Sequence, residues 1–201
     1  MENVVVSIFD IESEAFQAFS ELKQFVQTEN TKLAQASIVK AENGVVNVKD
    51  SFDLMNSLGD DYFEGGLIGS LIGILGGPLG VLFGFATGGA IGASVGSDKE
   101  LINSALITTV SKKLTNGEVA IIALVQENDE SVLNAIFEKY QVDIARWDVA
   151  TVAAEIESAL KIQEDLEHQA KARLIADKKE ARREKFDKLK ASIKEKFSKK
   201  N

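Results

Sequence analysis

The sequence predicts an α+β fold that is interrupted by a charge-free helical insertion and ends in one long helix. Three observations predict it. Short β-branched runs alternate with helical apolar spacings through most of residues 1–148. Residues 65–97 carry no charge across 33 positions and hold twelve of the 15 glycines. From Val149 to Lys200 there is no Gly or Pro, and Ala, Glu, Lys, Leu and Arg dominate.

The order of elements follows from local pattern. Val4 to Phe9 reads as a buried strand bounded by Asp10. Phe16, Phe19, Leu22 and Val26 recur every three or four residues, which predicts a helix with one apolar face. Leu33 to Lys40 and Val45 to Val48 are strands. Asn43-Gly44 joins them, because a type I′ turn needs positive φ at both central residues. Residues 99–115 read as a helix stopped by Asn116-Gly117. Val119 to Val125 is a further buried strand. Leu133, Ile136, Phe137 and Tyr140 mark a short helix, and Val142 to Trp147 a fifth strand.

The first six elements match a ferredoxin-like split βαβ sandwich whose second helix is expanded into residues 54–115. The expected organisation is therefore a ferredoxin-like domain from 1–53 and 116–148, an inserted helical region from 54–115, and a long helix from 149–201. At 1.5 Å per residue the last helix extends roughly 78 Å. Val149, Val152, Ile156 and Leu160 are its expected packing residues.

The insertion is a glycine zipper. Gly65, Gly69, Gly73 and Gly77 form one row at i+4 spacing, and Gly76, Gly80, Gly84, Gly88, Gly92 and Gly96 form another. On a helix such a row is a groove without side chains, which lets a second helix approach closely. Gly76-Gly77-Pro78 is the natural break between an arm of residues 65–75 and one of 78–97. The first arm is shorter than the roughly 20 residues a membrane span needs. Strands before and after must also share one sheet. A re-entrant hairpin, or a zipper buried between subunits, fits better than two full spans. No Gly-x-x-x-x-Gly-Lys-Ser/Thr occurs, so the segment is no phosphate loop.

Charge is distributed unevenly. Residues 171–201 carry 13 Lys and Arg against 5 Asp and Glu, a net of +8; the preceding 170 residues hold the other 10 and 26, a net of −16. Within the tail, Phe186, Leu189, Ile193 and Phe197 lie on one helical face among Lys185, Lys188, Lys190, Lys194 and Lys196. A basic amphipathic helix with aromatic residues is a signature of anionic membrane surfaces. The expected partners are a second copy of the chain and anionic lipid, and not a specific nucleic acid.

Little else points to chemistry. The absence of cysteine excludes disulfides, thiolate catalysis and cysteine-held metals. His168, the sole histidine, sits among Glu164, Asp165 and Glu167, a solvated setting that supports neither a multi-histidine metal site nor a triad. Glu127, Asp129 and Glu130 lack the glycine and spacing of a calcium loop. Arg146 and Trp147 read as strand-end packing. No cofactor and no enzymatic activity are expected. Residues 1–10 have no basic start and no uninterrupted apolar core, so no signal peptide is expected and the cytoplasmic face of a membrane is the expected location.

One resemblance accompanies these readings. The run from Asp60 through the glycine zipper to Ser97 leads into a helix. Leu114-Thr115-Asn116-Gly117-Glu118-Val119-Ala120-Ile121-Ile122-Ala123-Leu124-Val125 follows, then Ser131-Val132-Leu133 and a last strand. That order over roughly residues 1–160 resembles a family of uncharacterised bacterial proteins described as membrane proteins, some associated with stress responses. The resemblance implies a ferredoxin-like domain interrupted by a zipper, and it brings no catalytic residues. The long basic tail departs from the family's compact pattern.

Overall fold

The computed structural model describes residues 1–54, 66–77, 80 and 105–198, with the side chains of 176, 181, 184 and 186–198 excepted. In chain order the elements are β1 (Glu2–Phe9), α1 (Glu12–Lys23), β2 (Thr31–Glu42), β3 (Val45–Asp53), α2 (Leu67–Gly76), α3 (Leu106–Lys113), β4 (Val119–Glu127), α4 (Ser131–Phe137), β5 (Val142–Asp148) and α5 (Val149–Ser198). The chain divides into two compact units, Met1–Leu160 and Lys161–Asn201.

The first unit is an α+β unit built on one five-stranded antiparallel sheet of order β3-β2-β4-β1-β5. Two β-α-β units interleave to make it. β1-α1-β2 brackets β4, and β4-α4-β5 brackets β1. This corrects the expected assignment of the insertion. Were residues 54–115 the second helix of the sandwich, β3 would lie beside β1. Instead β3 is an edge strand paired to β2 alone, and α4 connects the two strands that flank β1. Residues 54–115 therefore lie in the connection from β3 to β4. A hairpin with a short turn must pair with its own neighbour, so β3 continues the sheet outward from β2.

The hairpin turn is as its residues demand. Asn43 and Gly44 have φ of 56° and 76°. Gly117, at φ 100°, turns the chain into β4 and donates its N–H to the Ala41 carbonyl at 2.7 Å. It is therefore a turn residue some way beyond α3, which ends at Lys113.

Both sheet faces are covered. On one face Val5, Phe9, Leu33, Ile38, Ile121 and Val125 pack with Phe19 and Leu22 of α1 and with Leu133 and Phe137 of α4. Alternate residues point the other way: Val4, Val6, Val39, Ala41, Ala120 and Ile122 are equally buried. α2 packs there on β2, β3 and β4 and against α3. Two covered faces explain why β1 and β4 read as continuous apolar runs and not as alternating ones.

Two expected details differ. α1 ends at Lys23, and Val26 is exposed beyond it. The Gln27 amide grips the backbone N–H and C=O of Leu33 at 2.8 and 2.9 Å, which turns the chain toward β2. In α5, Ala159 is buried with Val152 and Ile156, whereas Leu160 is exposed and Val149 half-buried. α5 starts abruptly because an Asp148 carboxylate oxygen accepts the N–H groups of Ala150 and Thr151 at 3.0 and 3.1 Å, an N-cap in the usual sense. In the second unit the side chains of residues 164–175, His168 included, are exposed.

Candidate functional site

α2 is the described part of the segment expected to form a zipper. Its ten residues have no charge and no side-chain cap. The helix ends at Gly76, and Gly77 is extended at ψ −173°, as a residue before proline tends to be. Three glycines in a helix cost about 3 kcal/mol relative to alanine. Ile68, Leu71, Ile72, Ile74 and Leu75 are buried, each contributing about 1.5–3 kcal/mol. Burial therefore outweighs the poor propensity, and packing is what makes this segment helical.

The two glycine rows part company here. Gly76 faces the sheet: a Cβ on it would stand 2.7 Å from the Val46 carbonyl oxygen. Gly80 is buried, and a Cβ there would meet the Leu75 carbonyl oxygen. Gly73 faces away, with nothing within 4 Å of a Cβ, and it is exposed. Gly69 and Gly77 on its row are half-buried. Gly65, Gly84, Gly88, Gly92 and Gly96 lie outside the described residues, as does the expected second arm apart from Gly80. The apolar row expected from Phe186 to Phe197 falls on α5, where Lys185 is exposed and the other side chains lie outside the description.

α3 joins this layer through a contact that pattern did not reveal. The Glu155 carboxylate on α5 accepts the N–H groups of Leu106 and Ile107 at 3.1 and 3.3 Å. It caps a helix whose own Ala105 has no capping side chain. Burial pushes the Glu155 carboxyl up from its ordinary range, against the two N–H donors that hold it down.

A polar cluster sits at one end of the opposite face. A Glu127 oxygen accepts Asn3 Nδ2 at 3.1 Å and Arg146 Nε at 2.8 Å. Arg146 also donates to Asn134 Oδ1 at 2.6 Å and to the Glu130 carbonyl at 3.4 Å. The Glu127 side chain is 1% exposed and that of Arg146 14%. Glu127 and Arg146 thus tie β4 and β5 to the start of α4, where Asp129 accepts the Ser131 N–H at 2.9 Å. The sequence reading placed Arg146 at a strand end and missed its partner, because Glu127 is distant in sequence and becomes adjacent through pairing on either side of β1. The arrangement braces the fold and offers no nucleophile or proton relay. Among the described residues no group of three or more metal-binding side chains converges.

A cleft of about 320 Å³ opens beside Asp10, Lys113, Glu118 and Asp143. Lys113 and Asp143 pair across it at 3.1 Å, both exposed.

α2, its neighbour α3 and the strands and helix β4-α4-β5 occur in this order within one stretch of chain. A family profile described as Protein of unknown function (DUF1269) matches that stretch, residues 63–167, just over half of the chain. The chain belongs to this family. The DUF1269 segment takes in α2, α3, β4, α4, β5 and α5 as far as Glu167. Its extent corrects the expected one: β1, α1, β2 and β3 precede it, although β1 and β2 are the strands that flank β4. DUF1269 supplies no catalytic or ligand-binding residues to transfer. No curated protein and no solved structure matches the chain.

Proposed function

We propose that this DUF1269 protein is a non-enzymatic, self-associating protein of the cytoplasmic face of a membrane. In this reading its α+β unit is a ferredoxin-like sandwich, built from β1-α1-β2 and β4-α4-β5, with β3 added at one edge and the zipper inserted after it. The observation that carries the reading is the outward face of α2. Gly73 stands open while the helix's apolar side is already buried on its own sheet. A helix held this way presents backbone to a second helix, as small-residue packing requires. The basic end of α5 supplies attraction for anionic lipid that the acidic remainder of the chain lacks.

Flotation tests the membrane part. The intact chain is expected to float with vesicles containing phosphatidylglycerol and to stay behind with phosphatidylcholine alone. Failure of the folded chain to float with either removes it.

A second reading keeps the same packing without lipid: a detergent-free oligomer with the zipper between subunits. The burial of α2 on its own sheet favours it. So does the finding that no helix among the described residues is long and apolar enough to cross a membrane. A monodisperse native mass without detergent, together with failed flotation, selects this reading.

A further inference from the structure

Two apolar rows run along α5 on nearly opposite sides. Val152, Ile156 and Ala159 are buried in the first unit. Counted at 3.6 residues per turn, Ile162, Leu166, Ala170 and Leu174 continue the same face. Past Leu160 that face loses its cover: Leu166 is 44% exposed and Leu174 58%. The positions of Phe186, Leu189, Ile193 and Phe197 lie about 165° round the axis from the Leu166 row. One flat partner meets one row or the other, never both. The C-terminal row is surrounded by lysines and belongs with lipid in the function proposed above. The Leu166 row has a different setting. Glu164, Asp165 and Glu167 lie along its first half, and Lys171 and Arg173 along its second.

We infer that residues 162–174 of α5 pair antiparallel with the same residues of a second copy. The inference rests on the self-association part of the function proposed above. A two-fold axis near residue 168 sets Ile162 against Leu174 and Leu166 against Ala170. At the centre Leu166 then faces the small Ala170 along i+4 ridges, which lets the helices close up there, and Ile162 meets Leu174 at either end. The same axis lays the acidic turn 164–167 of each copy beside the basic turn 171–173 of the other, where parallel pairing would set like charges together. The two units of the chain differ in the same sense. Residues 1–160 carry a net −14 and residues 161–201 a net +6. The contact is short, so the pair is weak and loosens with salt.

The chain has no cysteine, so full-length Ile162→Cys and Leu174→Cys variants report the geometry cleanly. In the antiparallel pair, like positions stand roughly 18 Å apart along the axis. A disulfide tolerates a Cα separation of only about 7 Å. Mild oxidation of an equimolar mixture is therefore expected to yield disulfide-linked dimer about ten-fold faster than either variant alone. Cross-linking of one variant alone as fast as the mixture means parallel pairing and overturns the inference. If no sample cross-links but sedimentation still finds an oligomer, the helix pair is overturned and self-association through α2 stands. If no sample cross-links and the chain is monomeric, both are overturned.

Discussion

Gly76 approaches the backbone of Val46 so closely that an added methyl carbon would stand 2.7 Å from the Val46 carbonyl oxygen. This one contact separates two glycines of α2. Gly76 lets the helix seat on the sheet, and Gly73 faces outward. The two look alike in sequence and do different work.

Gly76→Ala is therefore expected to lower stability by about 1–3 kcal/mol, since the helix or the edge strand must shift. Gly73→Ala meets open space and gains helix propensity, so stability should hold or rise by about 1 kcal/mol. Urea unfolding of the two variants separates these cases, and equal loss in both would contradict the assignment of the rows. Gly73→Leu should leave unfolding unchanged while reducing native mass, if the outward row packs against another copy.

Arg146→Met leaves the Glu127 carboxylate buried without its guanidinium. The expected loss is about 3–5 kcal/mol. Glu127→Gln keeps an oxygen for Asn3 and Arg146 and should cost less. A double variant less damaged than the sum of the two singles, measured by chemical denaturation, is the signature of a coupled pair.

Glu155 makes a pH-dependent contribution with a definite sign. Its carboxyl is raised in the folded chain, so between the unfolded and folded values the folded state binds the extra proton. The Glu155 contribution is then present at low pH and declines as pH rises through that window. Glu155→Gln removes the titration. The melting temperature of the variant relative to the parent should thus climb as pH rises from about 4 toward 7. Glu155→Ala also removes the cap of α3 and should lose about 0.5–2 kcal/mol, with faster hydrogen exchange at Leu106 and Ile107.

Tyr140 closes the gap between α1 and the end of α4. Its hydroxyl donates to Glu21 at 2.8 Å, and Lys139 pairs with the same carboxylate. Burial, then the Glu21 bond and charge, push the phenol up to about 12. In an ultraviolet titration Tyr140 should ionise well above the ordinary tyrosine value. Because the folded value exceeds the unfolded one, the tyrosine's contribution is lost as pH rises from about 10 to 12. Tyr140→Phe should flatten that part of the stability profile and leave Glu21 held by Lys139.

The strands and helices of the first unit were largely legible in the residues. Asn43-Gly44 determined its turn, because few other pairs accept positive φ twice in succession. Val119 to Val125 announced a central strand through unbroken apolarity, and the absence of Gly and Pro after Val149 announced α5. Each of these depends on neighbours within a few positions. Only the tertiary structure decided that β1 lies beside β4 and that α4 joins the two strands that flank β1. Pairing joins residues more than a hundred positions apart, and local pattern carries no information about it. The meeting of Glu127 with Arg146 and Asn3, and the cap that Glu155 places on α3, followed from that pairing. The glycines of α2 illustrate the division best. Spacing alone placed them in i+4 rows. Which of them meets the sheet depended on where Val46 stands, a position set by the hairpin that carries β3 to the sheet edge.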